Sequence, residues 1–197
     1  MNILVIYTHP RADSLNHSLL EATIRGLEQA GHQIKVADLY AENFQPAMTV
    51  DDFSQFELKP MPADVLAEQA RIEWSDALVF IFPLWWWSVP GMLKGWIDRV
   101  MSYSWAWFDP MDPTSGSLGE RKILVMVTAG ASQKQLAKRK YDESFHTQLN
   151  IGTWDYCGFR DVTTRVFYRV NSDSPRSLFT GYLAEAEQLA ATTFTDN

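Results

Sequence analysis

The chain has 197 residues, 46% of them hydrophobic, and a formal net charge of −7. That suffices for one domain over residues 1–197 with a sizeable core, while the acidic balance excludes a broad nucleic-acid footprint, which needs clustered Lys and Arg. Cys157 is the one cysteine, so an intrachain disulfide and a cysteine-built zinc cluster are excluded.

The opening "MNILVIYTHP" has no basic segment followed by a long apolar one, so a cytoplasmic location is expected. Pro83 interrupts the longest apolar stretch, and no membrane insertion is expected. Residues 2 to 7, "NILVIY", form a continuous β-branched run, the pattern of a strand covered on both faces. Leu19, Leu20, Ile24 and Leu27 recur at helical spacing until Gly31. "QIKVADL" (33 to 39) alternates as a second strand, and residues 41 to 62 are polar, proline-bearing and aperiodic, which predicts a long loop. A helix over 63 to 74 leads into "ALVFIF" (77 to 82), a third buried strand. After "PLWWWSVP" the stripe Val89, Met92, Leu93, Trp96, Ile97, Val100 and Met101 predicts an amphipathic helix, with Pro90 in its first turn. "KILVMVT" (122 to 128) is strand four, 133 to 156 carry helical material, "VTTRVFYRV" (162 to 170) is strand five, and a helix closes the chain.

Strands alternating with helices imply βαβ crossovers, an α/β doubly wound parallel sheet with helices on both faces. Five strands suit the flavodoxin-like order 2-1-3-4-5, in which ligands bind beyond the carboxyl ends of strands one and three. Three loops then carry the chemistry. "THPRADSLNHS" offers Thr8, His9, Ser14, Asn16 and Ser18 at a helix start, where free N–H groups and the helix dipole favour an anion; Asp13 or Ser14 acting as a plain helix cap is the equal alternative. Neither GxxxxGK nor GxGxxG occurs, so side chains would have to supply the donors. Trp85, Trp86 and Trp87 match a planar ring such as a flavin isoalloxazine, although any one of them alone reads better as core or as an oligomer contact. "TAGAS" (128 to 132) places main-chain N–H groups where a reduced flavin gathers negative charge.

"YTHPRADSLNHSL", "PLWWWSVPGMLKGWIDRV", "GERKILVMVTAGAS" and "YCGF" together resemble the NAD(P)H:quinone oxidoreductases, a family that also includes flavoprotein ancillary subunits of glutathione-gated potassium efflux systems. The resemblance spans roughly residues 1 to 165. It implies bound FAD, or FMN in some members, two-electron reduction of quinones by NADPH or NADH, homodimers with the site at the subunit contact, and in some members a membrane-transporter partner; a flavodoxin-type electron carrier is a further alternative, against which the aromatic segment Trp105 to Phe108 suggests a closed substrate pocket. Carried over, His9, Ser14, Leu15, Asn16 and Ser18 hold the flavin phosphates and ribityl-adenosine part. Pro83, Leu84, Trp85, Trp86 and Trp87 line the isoalloxazine, and Thr128, Ala129, Gly130 and Ala131 meet its pyrimidine end. Trp105 and Trp107 of "SYSWAWFDP" match an aromatic segment given across the dimer to the substrate pocket. The family's catalytic tyrosine and histidine have Tyr141 and His146 as their nearest candidates, in a stretch where this chain departs from the pattern; a surface or satisfied histidine is the favoured reading of His146. Lys134, Lys138, Arg139 and Lys140 form a basic run that fits either a solvated helix face or an NADPH phosphate.

Overall fold

The computed structural model describes residues 1–108, 118–119, 121–159 and 161–195. Asp109 and Pro110, which end the aromatic segment named above, lie outside them. Five strands, β1 (Asn2–Tyr7), β2 (Gln33–Asp38), β3 (Ala77–Pro83), β4 (Lys122–Thr128) and β5 (Val162–Phe167), form one sheet in the order β2-β1-β3-β4-β5. Every pairing is parallel, so each crossover carries helical chain and the order reverses between β1 and β3. The helices are α1 (Leu15–Gln29), α2 (Ala63–Trp74), α3 (Gly91–Val100), α4 (Gln133–Lys138), α5 (Tyr141–His146) and α6 (Arg176–Thr193).

Period-two alternation divides the core. Ile3, Val5, Val79, Ile81, Leu124 and Met126 pack beneath α1 and α6. Leu4, Ile6, Leu78, Phe80, Phe82, Ile123, Val125 and Val127 meet α3 and the aromatic residues beyond it. The α3 stripe therefore faces the sheet: Leu93, Trp96 and Val100 are fully buried, with the Trp96 ring edge-on to Phe80 at 5.9 Å between centroids and its indole N–H on Glu68 Oε2 at 2.9 Å. Pro90 stands one residue ahead of α3 as its N-cap, since the missing N–H costs least before the helix ladder begins.

Two segments differ from expectation. Residues 41 to 62 are not loop throughout: Val50–Glu57 is a 3-10 helix, entered through a box in which the Asp52 carboxylate accepts from the Thr49 N–H at 2.6 Å. Arg99 on α3 holds it from across the fold, donating to Asp52 at 2.9 Å, Asp64 at 2.6 Å and the Gln45 carbonyl at 2.7 Å. Between α5 and β5 the chain runs through a π-helical stretch, Thr147–Asp155, which turns Trp154 onto Phe80 at 4.5 Å.

Candidate active site

Because β1, β3 and β4 are adjacent and parallel, their carboxyl ends open on one edge, and the three following loops are bonded to one another there. Asn16 Nδ2 donates to Thr128 Oγ1 at 2.8 Å, joining the first loop to the third. The Leu84 N–H donates to the Thr128 carbonyl at 2.7 Å, joining the second to the third. His9 lies 6.0 Å from the Trp85 ring between centroids, closing the triangle.

The tryptophan segment is a tight reversal. Trp85 and Ser88 exchange reciprocal backbone bonds, both 3.1 Å, and Trp86 and Trp87 between them have φ of 50° and 63°. Positive φ at both central residues is the type I′ turn, for which Asn and Gly are the usual occupants. A bulky side chain in that region costs roughly 1–2 kcal/mol, and such strain collects where function requires it. Packing does not repay it at Trp86, which is 93% exposed, and Trp85 and Trp87 are exposed at 41% and 36%. The three indoles are therefore surface at this edge. The Trp86 and Trp87 N–H groups have no acceptor among the described residues, as expected for the centre of such a turn, and are free for a ligand.

Ser14 caps α1, accepting from the His17 N–H at 3.2 Å, so the plain capping role is real. It leaves the Leu15 and Asn16 N–H groups without acceptors among the described residues. Asp13 is outside this arrangement, pairing with Arg11 at 2.7 Å on the surface. Among the described residues, Tyr7 Oη, Thr8 Oγ1 and Asn16 Oδ1 are buried with no hydrogen-bond partner. Buried polar atoms are ordinarily satisfied, so this edge fits a ligand that brings polar atoms, with the free helix amides suiting a phosphate. Desolvation holds the His9 imidazole below its usual range despite its contact with the Arg11 carbonyl, and burial raises the Tyr7 phenol.

In the third loop the Ala129 N–H donates to the Phe167 carbonyl at 2.8 Å. Its free donors are those of Gly130 and Ala131, which have no acceptor among the described residues. Ser132 caps α4 through Gln135. Of the two predicted proton-handling residues, Tyr141 stacks on Trp87 at 4.1 Å and 14°, whereas His146 ends α5 exposed to solvent. Trp105 donates from Nε1 to Glu73 Oε1 at 2.9 Å and packs against the α3 side of the core. Trp107 lines a groove of about 550 Å³ with Phe56, Ile97, Met101 and Tyr156, apart from the three loops above. Cys157 borders the same groove, but burial pushes its thiol up to about 12, so it is no nucleophile.

Tyr7 escaped the sequence reading as a site residue because it ends an apolar run, whereas Thr8 was legible as the first polar residue of the loop. Their unpartnered hydroxyls become visible only once β3 and α1 have closed over them.

A family model described as a flavodoxin-like fold matches residues 1–190. The ribosyldihydronicotinamide dehydrogenase (quinone) of Rattus norvegicus is 29% identical over 198 residues, covering 89% of this chain and 86% of the relative. The NAD(P)H dehydrogenase (quinone) 1 of Cavia porcellus is 26% identical over 196 residues, covering 87% and 70%. The structure of an NAD(P)H:quinone oxidoreductase from Methanothermobacter marburgensis superposes with a TM-score of 0.89 at 30% identity, covering 100% of this chain and 98% of that one. The chain belongs to this flavodoxin-like family, in the branch of the NAD(P)H:quinone oxidoreductases. Among the described residues, no helix is long and apolar enough to cross a membrane.

Proposed function

We propose that this chain is a flavin-dependent oxidoreductase that moves two electrons from NADPH or NADH to quinones, acting as a cytoplasmic homodimer. The observation that carries the reading is the strained Trp86–Trp87 turn, bonded into one edge with the unpartnered hydroxyls and free helix amides of the first loop. A planar ring with a phosphate tail matches both parts, and the relatives named above are dehydrogenases of quinones.

Bound at this edge, a flavin would supply the redox chemistry, accepting hydride from the nicotinamide and passing two electrons on. The chain's own residues bind and orient. The Leu15 and Asn16 amides with Ser14, Ser18, Thr8 and His9 hold the phosphate part, His9 staying neutral so that it can act as acceptor or donor. The Trp86, Trp87, Gly130 and Ala131 N–H groups fix the polar rim of the ring and stabilise negative charge there. Pro83, Leu84 and the indoles give it an apolar, water-poor wall. Tyr141, against Trp87, is the better placed proton-handling group; His146 takes part only if the partner subunit or substrate reaches α5.

FAD is preferred over FMN because a recess of about 300 Å³ lined by His9, His17, Asp38 and Tyr40 extends the phosphate turn toward β2, with room for further nucleotide. The groove beside Trp107, with exposed Met48, Phe56 and Tyr156 in its lining, is the proposed dimer contact. Purified protein should be yellow, release FAD identifiable by mass, and oxidise NADPH or NADH only when a quinone is present. Colourless protein that takes up neither flavin contradicts the proposal.

A further inference from the structure

The basic run finds a place beside the ring-lining loops. The left-handed Lys140, at φ 58°, turns the chain from α4 into α5, so that Lys138 and Arg139 border a pocket of about 390 Å³ together with Gln135, Trp87, Ala131 and Tyr141. That volume lies within the range of small-ligand sites. Trp87 and Ala131 also belong to the two loops assigned to the flavin, so the pocket continues directly from the ring's edge.

Its chemistry is unlike that of the rest of this acidic chain. The Trp87 and Tyr141 rings, both in its lining, stack face to face at 4.1 Å, an aromatic pair on whose outer face a heteroaromatic base can pack. The same lining holds two cations, Lys138 and Arg139, for which no carboxylate partner exists among the described residues, whereas the neighbouring Lys140 pairs with Glu143 at 3.4 Å. Asp142 is the other acid close by, and its carboxylate accepts from the Glu143 N–H at 3.0 Å. Gln135 Oε1 is engaged by the Ser132 N–H and hydroxyl at 2.7 and 2.9 Å, which leaves its amide N–H groups as donors. An aromatic pair sharing one pocket with a lysine, an arginine and an amide is the residue set of a phosphorylated nucleoside site.

We propose that this pocket takes the adenosine 2′-phosphate end of NADPH, and that Lys138 and Arg139 make the enzyme prefer NADPH over NADH, which lacks that phosphate. The inference rests on the reductase reading above and goes beyond it by naming the residues that choose the donor.

The test uses the flavin-loaded protein and two measurements. Calorimetric titration with 2′,5′-ADP and with 5′-AMP reads the pocket without turnover, and kcat/KM for NADPH and NADH reads its use. The native chain should bind 2′,5′-ADP more tightly and favour NADPH. In K138Q/R139Q the NADPH-to-NADH ratio of kcat/KM should fall on the order of tenfold, through KM, the scale of losing charge-assisted phosphate bonds. K134Q, on the same helix but outside the pocket, controls for loss of overall charge. Equal binding of the two adenosine phosphates, or a ratio that K138Q/R139Q leaves unchanged, overturns the proposal. Protein that oxidises neither nucleotide refutes the reductase reading instead, and the 2′,5′-ADP titration still decides the pocket.

Discussion

At the scale of single residues, Trp86 concentrates the tension between folding and use. Its φ of 50° is unfavourable for any side chain with a Cβ, and 93% of its surface stays in water, so the fold gains little from keeping it. Trp86→Gly should therefore raise unfolding stability by up to about 1 kcal/mol, the strain relieved less the added chain entropy of glycine, while weakening flavin uptake. Urea unfolding of the cofactor-free protein and a fluorescence titration with FAD check the two halves, and a loss of stability would contradict the first. His9 gives a second expectation. Desolvation depresses its folded pKa below the ordinary 6.5, so in acid the unfolded chain binds a proton that the native one refuses. The stability is intact above the unfolded value and declines as pH falls from about 6.5 toward the folded value. Unfolding free energies measured from about pH 7 to about pH 5 should drop more in the native chain than in His9→Gln; equal slopes would reject the assignment. Ser14 and Asn16 were legible as helix-start polar residues from spacing alone. The bond from Asn16 to Thr128, 112 positions away, was not, because nothing local encodes it.

At the scale of elements, α3 was plain in the sequence since its apolar stripe repeats at helical spacing, whereas the 3-10 helix Val50–Glu57 was hidden in an aperiodic, proline-flanked stretch. One local signal existed, Thr49 three residues before Asp52, the spacing of a capping box. What holds the helix is distant: Arg99, whose side chain is 3% exposed, against Asp52 at 0%. Gly95 permits this arrangement, because a Cβ there would overlap the carbonyl oxygen of Pro46, next to the Gln45 carbonyl that Arg99 grips. Arg99→Ala strands a buried carboxylate and should cost on the order of 3–5 kcal/mol. Adding Asp52→Leu should recover much of that loss, since an apolar pair in place of a buried ion pair is often tolerated. Urea midpoints of the two variants at an unchanged m-value decide it, and a double variant no better than the single one would show that Asp52 is not the group left uncompensated.

For the molecule as a whole, the site exists only because strand order reverses between β1 and β3, leaving an open edge where loops distant in the chain meet. A ligand bound there touches the ends of β1, β3 and β4 and the start of α1, so it should stabilise the native state as a unit. Protein stripped of flavin should melt several degrees below the reconstituted form, since a ligand at 100 times its Kd adds about 2.7 kcal/mol, or roughly 5–10 °C for a chain of this size; identical melting points would show that the native fold does not bind flavin. The sequence by itself determined the five strands and the helices between them, because hydrophobic periodicity is a local property; the order was expected from the rules for crossover connections and the pattern that five such strands suit, and the tryptophan, serine-asparagine and TAGAS loops were marked as the places for chemistry. Tertiary structure decided which polar groups there are free. Ala129 is bonded to Phe167 while Gly130 and Ala131 are not, Tyr141 meets Trp87 while His146 faces water, and the α3 stripe turns inward. Each of these depends on which surfaces meet across the sheet, a long-range packing outcome that no window of neighbouring residues contains.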